Sequence, residues 1–391
     1  MIQTSSIPRR TKQLTQISSA DQKKKDSRIE FAEKILATYS PSGEEAEIVT
    51  ILKSELETHG LSPRVDFAGN IICEIGSGSP SLLFCPHLDT VPGRLVVRKD
   101  GNKLYGRGAC DAKGALLSML LAFEDIAEQF EKDPDRSQGR LIFAGVVEEE
   151  KESRGLNQLI KDRLRADAAI FGEPCGLNKV TIGYRGHVPV SFDIRTKEAH
   201  ASAPWTTTNA AEVVFSLYDS LRKKLSIGGN AQGVDSVSVA ITGIRSGTAH
   251  NVIPGSAKMS VDIRVPIGTS SAKVASRIEE IASEESKSKH CVIATTFAEL
   301  TEPYKARVDC RIARAINRSL LKRGLKPSFV TKSGTGDMNT YALAFGVDAL
   351  TYGPGESKLS HTDSEFVDIE EVFACSEVLV DTQKEFFVLR N

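Results

Sequence analysis

Two histidines and several carboxylates follow apolar runs at four places in this chain of 391 residues. His87 and Asp89 follow "PSLLFCP", three glutamates follow "RLIFAGVV", Glu173 follows "ADAAIFG", and His361 follows "DALTYGPGESKLS". A fifth candidate, Asp111, lies on the glycine-rich turn "GRGACDAKG" just before an apolar helix pattern. Imidazole nitrogens and carboxylate oxygens are zinc ligands, and this set is typical of a two-metal hydrolytic site.

The segments that precede these residues predict a common place for them. Each is a short apolar run bounded by turn residues, which is typical of a buried parallel strand. Strand and helix patterns alternate up to Glu173, with the helix best marked over 114–130, and this alternation predicts a parallel α/β sheet. Because ligands collect at the carboxyl ends of such strands, we expect the candidate residues to meet at one edge of one sheet.

Spacing suggests individual roles but leaves alternatives open. His87 and Asp89 are two residues apart, so strand alternation points them to the same side, and Asp89 could orient a metal-bound imidazole. Asp111 could bridge two metals or could simply cap a helix. Within the triplet 148–150, one carboxylate could bind metal while its neighbour takes a proton from water, although such triplets are also found as solvated loops. Glu173, at the inner end of a core strand, would be costly without a partner or a metal.

The pattern changes after about residue 180. Alternating strands and helices then follow the order β-α-β-β-α-β up to about residue 298, which is the order of a ferredoxin-like sandwich. From about residue 305 the chain returns to helix and buried strand. We therefore predict a di-metal catalytic domain formed by residues 29–180 and 299–391, with residues 181–298 inserted as a lid or dimerisation domain.

Three residues of the inserted segment, and one loop after it, could contact a substrate. His200 could donate a hydrogen bond to a developing oxyanion if the domain closes over the site, or it could be a turn histidine. Arg264 and Asn251 could hold a substrate carboxylate and carbonyl. The loop "TKSGTGDMN", which contains Gly334, could present N–H groups to an anion. A nucleotide site is not expected, since neither G-x-x-x-x-G-K-[ST] nor G-x-G-x-x-G occurs.

Composition excludes several classes of partner. The net charge of −1 points neither to nucleic acid nor to an anionic membrane, and no apolar run approaches the ~20 residues of a membrane helix. Seven scattered cysteines without C-x-x-C spacing predict free thiols in the cytoplasm. Residues 1–28 carry seven Lys or Arg and two acids, and we predict a disordered basic tail, with an organellar transit peptide as the alternative.

Taken in order, "HLD", "GRGACDAKG", "EEE", "GEP", "AHAS", "HNVIP" and "SHTDSE" resemble the motifs of the M20 metallopeptidase family. The resemblance covers nearly everything after the tail. It implies two divalent metal ions per subunit, Zn²⁺ or Co²⁺, with Asp111 bridging them. The metal ligands that it implies are His87, Asp111, Glu150, Glu173 and His361.

The resemblance also implies roles for other residues. Glu149 would be the general base, and Asp89 would support His87. His200 would donate to the oxyanion in the partner subunit's site of a homodimer. The peptide bond after Asp111 would be cis although no proline follows.

Within the family, "GVVEEE", "GEPCGLNKVTIGYRG", "SGTGDMN" and "TYGPGESKLSHTDSE" are similar to the subgroup that acts on amino-group carrier proteins. This implies an amidohydrolase that releases lysine or ornithine from the C-terminal glutamate of the carrier LysW, in lysine and arginine biosynthesis. The chain has Gly-Thr-Gly-Asp where Gly-Thr-Ser-Asp is expected, and three glutamates where Asp-Glu-Glu is usual. Two alternatives stay open: a deacylase or dipeptidase acting on a free small substrate, such as N-acetylornithine or succinyl-diaminopimelate, and a non-catalytic binding protein of the same fold.

Overall fold

The computed structural model describes residues 19–133, 138–225 and 233–389. Its α-helices are α1 (Ser19–Ala37), α2 (Ala46–Thr58), α3 (Gly114–Lys132), α4 (Arg154–Lys161), α5 (Ala210–Lys224), α6 (Ser271–Lys289), α7 (Arg311–Lys322), α8 (Asp337–Phe345) and α9 (Ile369–Val388). Its strands are β1 (Arg64–Val65), β2 (Ile71–Pro86), β3 (Arg98–Asp100), β4 (Lys103–Tyr105), β5 (Gln138–Gly145), β6 (Ala168–Gly172), β7 (Lys179–Tyr184), β8 (Gly186–Arg195), β9 (Ala199–His200), β10 (Ser238–Ser246), β11 (Val252–Ile253), β12 (Ser256–Val265), β13 (Val292–Phe297), β14 (Tyr304–Lys305), β15 (Ser328–Lys332), β16 (Asp348–Tyr352) and β17 (Phe366–Asp368).

The larger domain is built on a mixed sheet in which β2, β6 and β16 run parallel as neighbours. The first half of β2 pairs antiparallel with β5, Ile71 lying opposite Gly145. The second half of β2 runs parallel to β5, with Ser81 opposite Arg140 and Phe84 opposite Phe143. The two halves of β2 therefore flank β5. β7 adds an antiparallel contact to β16 and a parallel one to β15. The α/β fold is confirmed, but the sheet is mixed, because the first half of β2 runs antiparallel to β5 and β7 runs antiparallel to β16.

Helices cover both faces of this sheet. On one face, α3, α7 and α9 pack with Phe84 and Phe143. On the other face, α4 and α8 pack with Leu83 and Ile142. Because successive strand residues face opposite sides, burial of both faces explains why these strands are continuous apolar runs in the sequence.

The inserted domain has the predicted order β8, α5, β10, β12, α6, β13. Its four strands form an antiparallel sheet in the spatial order β10-β12-β8-β13, and α5 and α6 pack on one face around a separate core. This is a ferredoxin-like arrangement. β7 belongs to the large sheet as far as Tyr184, so the small domain starts later than the predicted residue 181.

The chain crosses between the domains at two places, and the two crossing segments are bonded to each other. It enters the small domain between β7 and β8 and leaves it after β13. His187 N–H donates to the Thr301 carbonyl at 2.8 Å, and Thr301 N–H donates back to the His187 carbonyl at 3.0 Å. The two connections therefore lie side by side.

The N-terminal helix corrects the predicted tail. α1 begins at Ser19, so residues 19–28 are helical, while residues 1–18 lie outside the described residues. Asp125 of α3 accepts hydrogen bonds from Lys24 Nζ at 3.0 Å and from Arg28 Nη2 at 2.5 Å. These ion pairs hold a segment that composition alone marked as disordered. Among the described helices, none has the length and apolar character needed to span a bilayer.

Candidate metal centre

His87 and Asp89 lie at the end of β2 and are almost completely buried. His87 Nδ1 is 3.0 Å from the backbone oxygen of Asp89 and 3.4 Å from its Oδ1. The Asp89 carboxylate also accepts the N–H groups of Glu149 and Glu150, both at 3.0 Å, and the Ser42 hydroxyl at 2.7 Å. Asp89 therefore orients the imidazole and ties the end of β2 to the loop after β5.

Asp111 lies between the two histidines. Its Oδ1 is 3.3 Å from His87 Nε2, and its Oδ2 is 3.5 Å from His361 Nε2. The Asp111–Ala112 peptide bond is cis, as the sequence resemblance implied. One carboxylate that presents each oxygen to a different imidazole is suited to bridging two cations.

The loop that carries Asp111 is held by Glu365, a buried residue that the sequence analysis did not single out. Glu365 accepts hydrogen bonds from Asp111 N–H at 2.9 Å, from Gly108 N–H at 3.1 Å and from Arg107 Nη1 at 3.1 Å. Gly108 has φ of +80°, and a Cβ added there would lie 2.5 Å from Thr90 Cγ2. Only glycine fits this turn, which accounts for a glycine in the segment before Asp111.

The three consecutive glutamates point to different places. Glu148 has φ of +57°, and its Oε1 accepts a hydrogen bond from Arg154 Nε at 3.0 Å. Glu150 Oε1 lies 2.8 Å from His361 Nε2. Glu149 has a ligand atom within 4.8 Å of those of His87 and Glu173. The positive φ thus turns Glu148 away, while the next two carboxylates enter the site.

The donor set fits divalent cations. His87, Asp111 and Glu150 form a second group whose ligand atoms lie within 4.8 Å of one another, slightly more than the length of two metal–ligand bonds of ~2.0–2.2 Å, so small side-chain shifts would bring them to a common cation. Burial raises the pKa of Glu149 well above its ordinary value and raises that of Glu173 to about 7, with further increases from nearby carboxylates. Within the described part of the chain, neither carboxylate accepts a hydrogen bond, so bound cations would offset the cost of burying them.

The candidate site opens into a cleft with a cavity volume of about 520 Å³. Its lining includes Glu149, Glu150, Gly334 and His361 of the large domain and Arg264 of the inserted domain. The Arg264 guanidinium is fixed by Asp262, with Nε–Oδ1 at 2.9 Å and Nη2–Oδ2 at 3.0 Å, and its Nη1 donates to Thr335 Oγ1 at 3.1 Å. Arg264 and Gly334 are thus brought to the predicted site.

His200 and Asn251 are not brought to the cleft within one chain. They lie together where β9 pairs with β11, both are exposed, and neither lines the cavity. His200 Nδ1 is 2.8 Å from Ser202 Oγ. Either residue could reach a metal centre only after domain movement or from another copy of the chain.

Asp337 is a second residue that the sequence analysis missed. It lines the cleft, is 5% exposed, and its Oδ2 has no hydrogen-bond partner in the described ranges. Burial raises the pKa of Asp337 to about 6, although a hydrogen bond with Ser153 acts to lower it. Its position in the glycine-rich loop 331–339, at the first residue of α8, was the available signal.

The sequence matches the model of peptidase family M20/M25/M40 over residues 83–385. The chain belongs to this family. The matched range contains all five predicted metal ligands, Glu149 and the whole inserted domain. Because the family is hydrolytic, this M20 family member is a hydrolase.

Individual relatives agree with the family assignment. A LysW-lysine/LysW-ornithine hydrolase from Sulfurisphaera tokodaii is 30% identical over 351 residues, which cover 90% of this chain and 93% of the relative. The aminopeptidase PepT structure from Bacillus cereus has a TM-score of 0.78 at 20% identity, covering 93% of this chain and 98% of PepT. The Bacillus subtilis YXEP protein, described as a dinuclear metal-binding M20 peptidase, has a TM-score of 0.74 at 14% identity, with coverage of 93% and 98%. These structures share the fold of this M20 family member.

Proposed function

We propose that this M20 family member hydrolyses the amide that joins lysine or ornithine to the C-terminal glutamate of the carrier protein LysW. The observation that carries this proposal is the likeness to the S. tokodaii LysW-lysine/LysW-ornithine hydrolase over 90% of the chain. The proposed setting is lysine and arginine biosynthesis in the cytoplasm.

The metal ligands of the proposal are His87, Asp111, Glu150, Glu173 and His361. Two ions, Zn²⁺ or Co²⁺, would polarise the scissile carbonyl and lower the pKa of water. Glu149 takes the proton of the attacking water and delivers it to the leaving α-amine. Asp89 accepts the backbone N–H groups of both Glu149 and its neighbour Glu150, which supports a base beside the proposed ligand Glu150.

The cleft supports a basic amino acid as the leaving group. Arg264, already fixed by Asp262, holds the α-carboxylate. Glu152 and Glu299 also line the cleft, and in the described residues neither forms an ion pair, so they can face the ammonium group of lysine or ornithine. A cavity of about 520 Å³ lies within the range of ~300–1,000 Å³ for small-molecule sites, so the carrier's terminal residue enters while its folded part stays outside.

The test compares LysW-lysine, LysW-ornithine, N-acetylornithine and N-acetyllysine with one enzyme preparation. We expect kcat/KM to be at least ~10²-fold higher for the carrier adducts, because contacts with the carrier supply binding energy that a small substrate lacks. Equal or faster turnover of N-acetylornithine would favour the free-substrate deacylase. No turnover of any substrate by metal-loaded protein would favour a binding protein.

We further propose a homodimer in which His200 completes the site of the partner subunit as an oxyanion donor. Its exposure and its absence from the lining of the cleft within one chain motivate this proposal. Mixing inactive His200→Ala and inactive Glu149→Ala proteins should then restore activity. At equal mixing, half of the dimers are hybrids with one intact site, so the recovery should approach roughly a quarter of wild-type activity.

A matched mixture controls for this prediction. Glu149→Ala mixed with Glu173→Ala should recover nothing, because both residues belong to the same site of the same chain. Subunit exchange is followed by native mass spectrometry. If the His200→Ala mixture exchanges subunits but stays inactive, His200 does not act across the dimer.

A further inference from the structure

A second group of metal-ligand side chains lies away from the cleft. Glu55 and His59 are four residues apart at the end of α2 and share one face, and Glu124 lies opposite them on α3. Each offers one ligand atom within 4.8 Å of the other two. His59 Nδ1 is 3.9 Å from Glu124 Oε1. None of the three lines the cleft.

Glu124 gives independent evidence for a ligand here. Its side chain is 5% exposed, and its Oε1 is enclosed without a hydrogen-bond partner in the part of the chain that the structure describes. The nearby cations Lys24 and Arg28 bond instead to Asp125. A buried carboxylate without a donor is costly, and most such groups in proteins have a partner.

The imidazole of His59 lies beside Glu124. Its Nδ1, the ring nitrogen 3.9 Å from Glu124 Oε1, is also 3.0 Å from the backbone oxygen of Glu55, so a cation bound at Nδ1 would replace that hydrogen bond. The side chain is 44% exposed, so an ion can enter from solvent. The buried carboxylate and the accessible imidazole thus face each other across the gap between two helices.

We propose that Glu55, His59 and Glu124 bind a divalent transition metal of the Zn²⁺ class and so link α2 to α3. One nitrogen and two oxygen ligands suit Zn²⁺, whereas Ca²⁺ and Mg²⁺ prefer oxygen alone. Two carboxylates balance the charge of the ion, and water completes its coordination on the exposed side. The ion would stabilise the helix that begins immediately after the Asp111 loop.

The test uses untagged, metal-stripped full-length protein carrying His87→Ala and His361→Ala, which disable the catalytic centre. Zn²⁺ binding is measured by equilibrium dialysis with mass spectrometry, and stability by thermal unfolding. We expect about one Zn²⁺ per chain and a rise in Tm of roughly 2–5 °C at saturation. In this background His59→Gln and Glu124→Gln should abolish both effects. Glu131→Gln, an exposed position on the same helix, should abolish neither.

Glu124→Gln also tests whether misfolding could explain a loss of Zn²⁺ binding. It removes a buried charge while keeping the shape of the side chain, so its metal-free Tm should equal or exceed that of the parent. If the parent protein does not bind Zn²⁺ with a Kd below about 10 µM, the proposal is overturned and the group is only a histidine–carboxylate contact. Binding that survives both His59→Gln and Glu124→Gln would overturn it equally.

Discussion

Replacing Glu149 with alanine should lower kcat at least ~10²-fold, the scale of losing a general base, while the metals stay bound. The reason is that Glu149 and Glu150, which follow β5, have different contacts. Glu150 contacts His361 at 2.8 Å, whereas Glu149 lies beside His87 and Glu173 and also lines the cleft. We therefore predict that Glu149 takes a proton from a water in the site, and the metal content of Glu149→Ala tests whether it also holds a cation.

Glu148→Ala is the matched control for this prediction. The residue is adjacent in sequence and has the same side chain, but it turns away to Arg154, so kcat should remain within a few-fold of wild type. Turnover is measured on LysW-lysine and metal content by mass spectrometry. Near wild-type turnover by Glu149→Ala would remove it as the base, and loss of metal would make it a ligand.

Asp111→Ala should abolish binding of both metals and lower kcat/KM by more than ~10²-fold. This loss exceeds the ~10–100-fold that is typical when a residue that hydrogen-bonds to a metal ligand is replaced. The two oxygens of Asp111 face different imidazoles, so both metal positions depend on one carboxylate. His361→Ala, by contrast, should leave one metal in place.

Metal stoichiometry after dialysis against buffer measures this difference. Asp363→Ala is the control, since that carboxylate lies two residues from His361 and its side chain is fully exposed. Two metals retained by Asp111→Ala would refute the bridging role. If Asp111→Ala and His361→Ala each lose only one metal, then Asp111 binds at only one of the two metal positions.

The sequence predicted where the site would form because local patterns carry that information. An apolar run that ends in a metal-binding residue marks the carboxyl end of a buried strand, so His87, Glu150 and Glu173 could be assigned to one sheet edge. The ferredoxin-like order of the insertion was predictable for the same reason, since alternation and helical periodicity are properties of neighbouring residues.

The features that the sequence did not predict depend on contacts between residues that are distant in the chain or on backbone conformation. Glu365 holds the Asp111 loop from a position more than 250 residues away, and nothing local marks its carboxylate as buried. The turn of Glu148 away from the site follows from one positive φ within a run of identical side chains. The helical residues 19–28 include Arg28, which pairs with Asp125, a residue of another helix. The role proposed for His200 depends on a second copy of the chain.

The paired crossings between the domains limit how the cleft can move. Two separate cores could swivel freely if joined by independent linkers, but the mutual bonds of His187 and Thr301 place both connections on one line. We therefore expect the domains to move by bending about this line, without unpacking of either core. Each closure should return Arg264 to the same position opposite Glu149, so the orientational entropy of assembling the site is lost during folding rather than in every catalytic cycle.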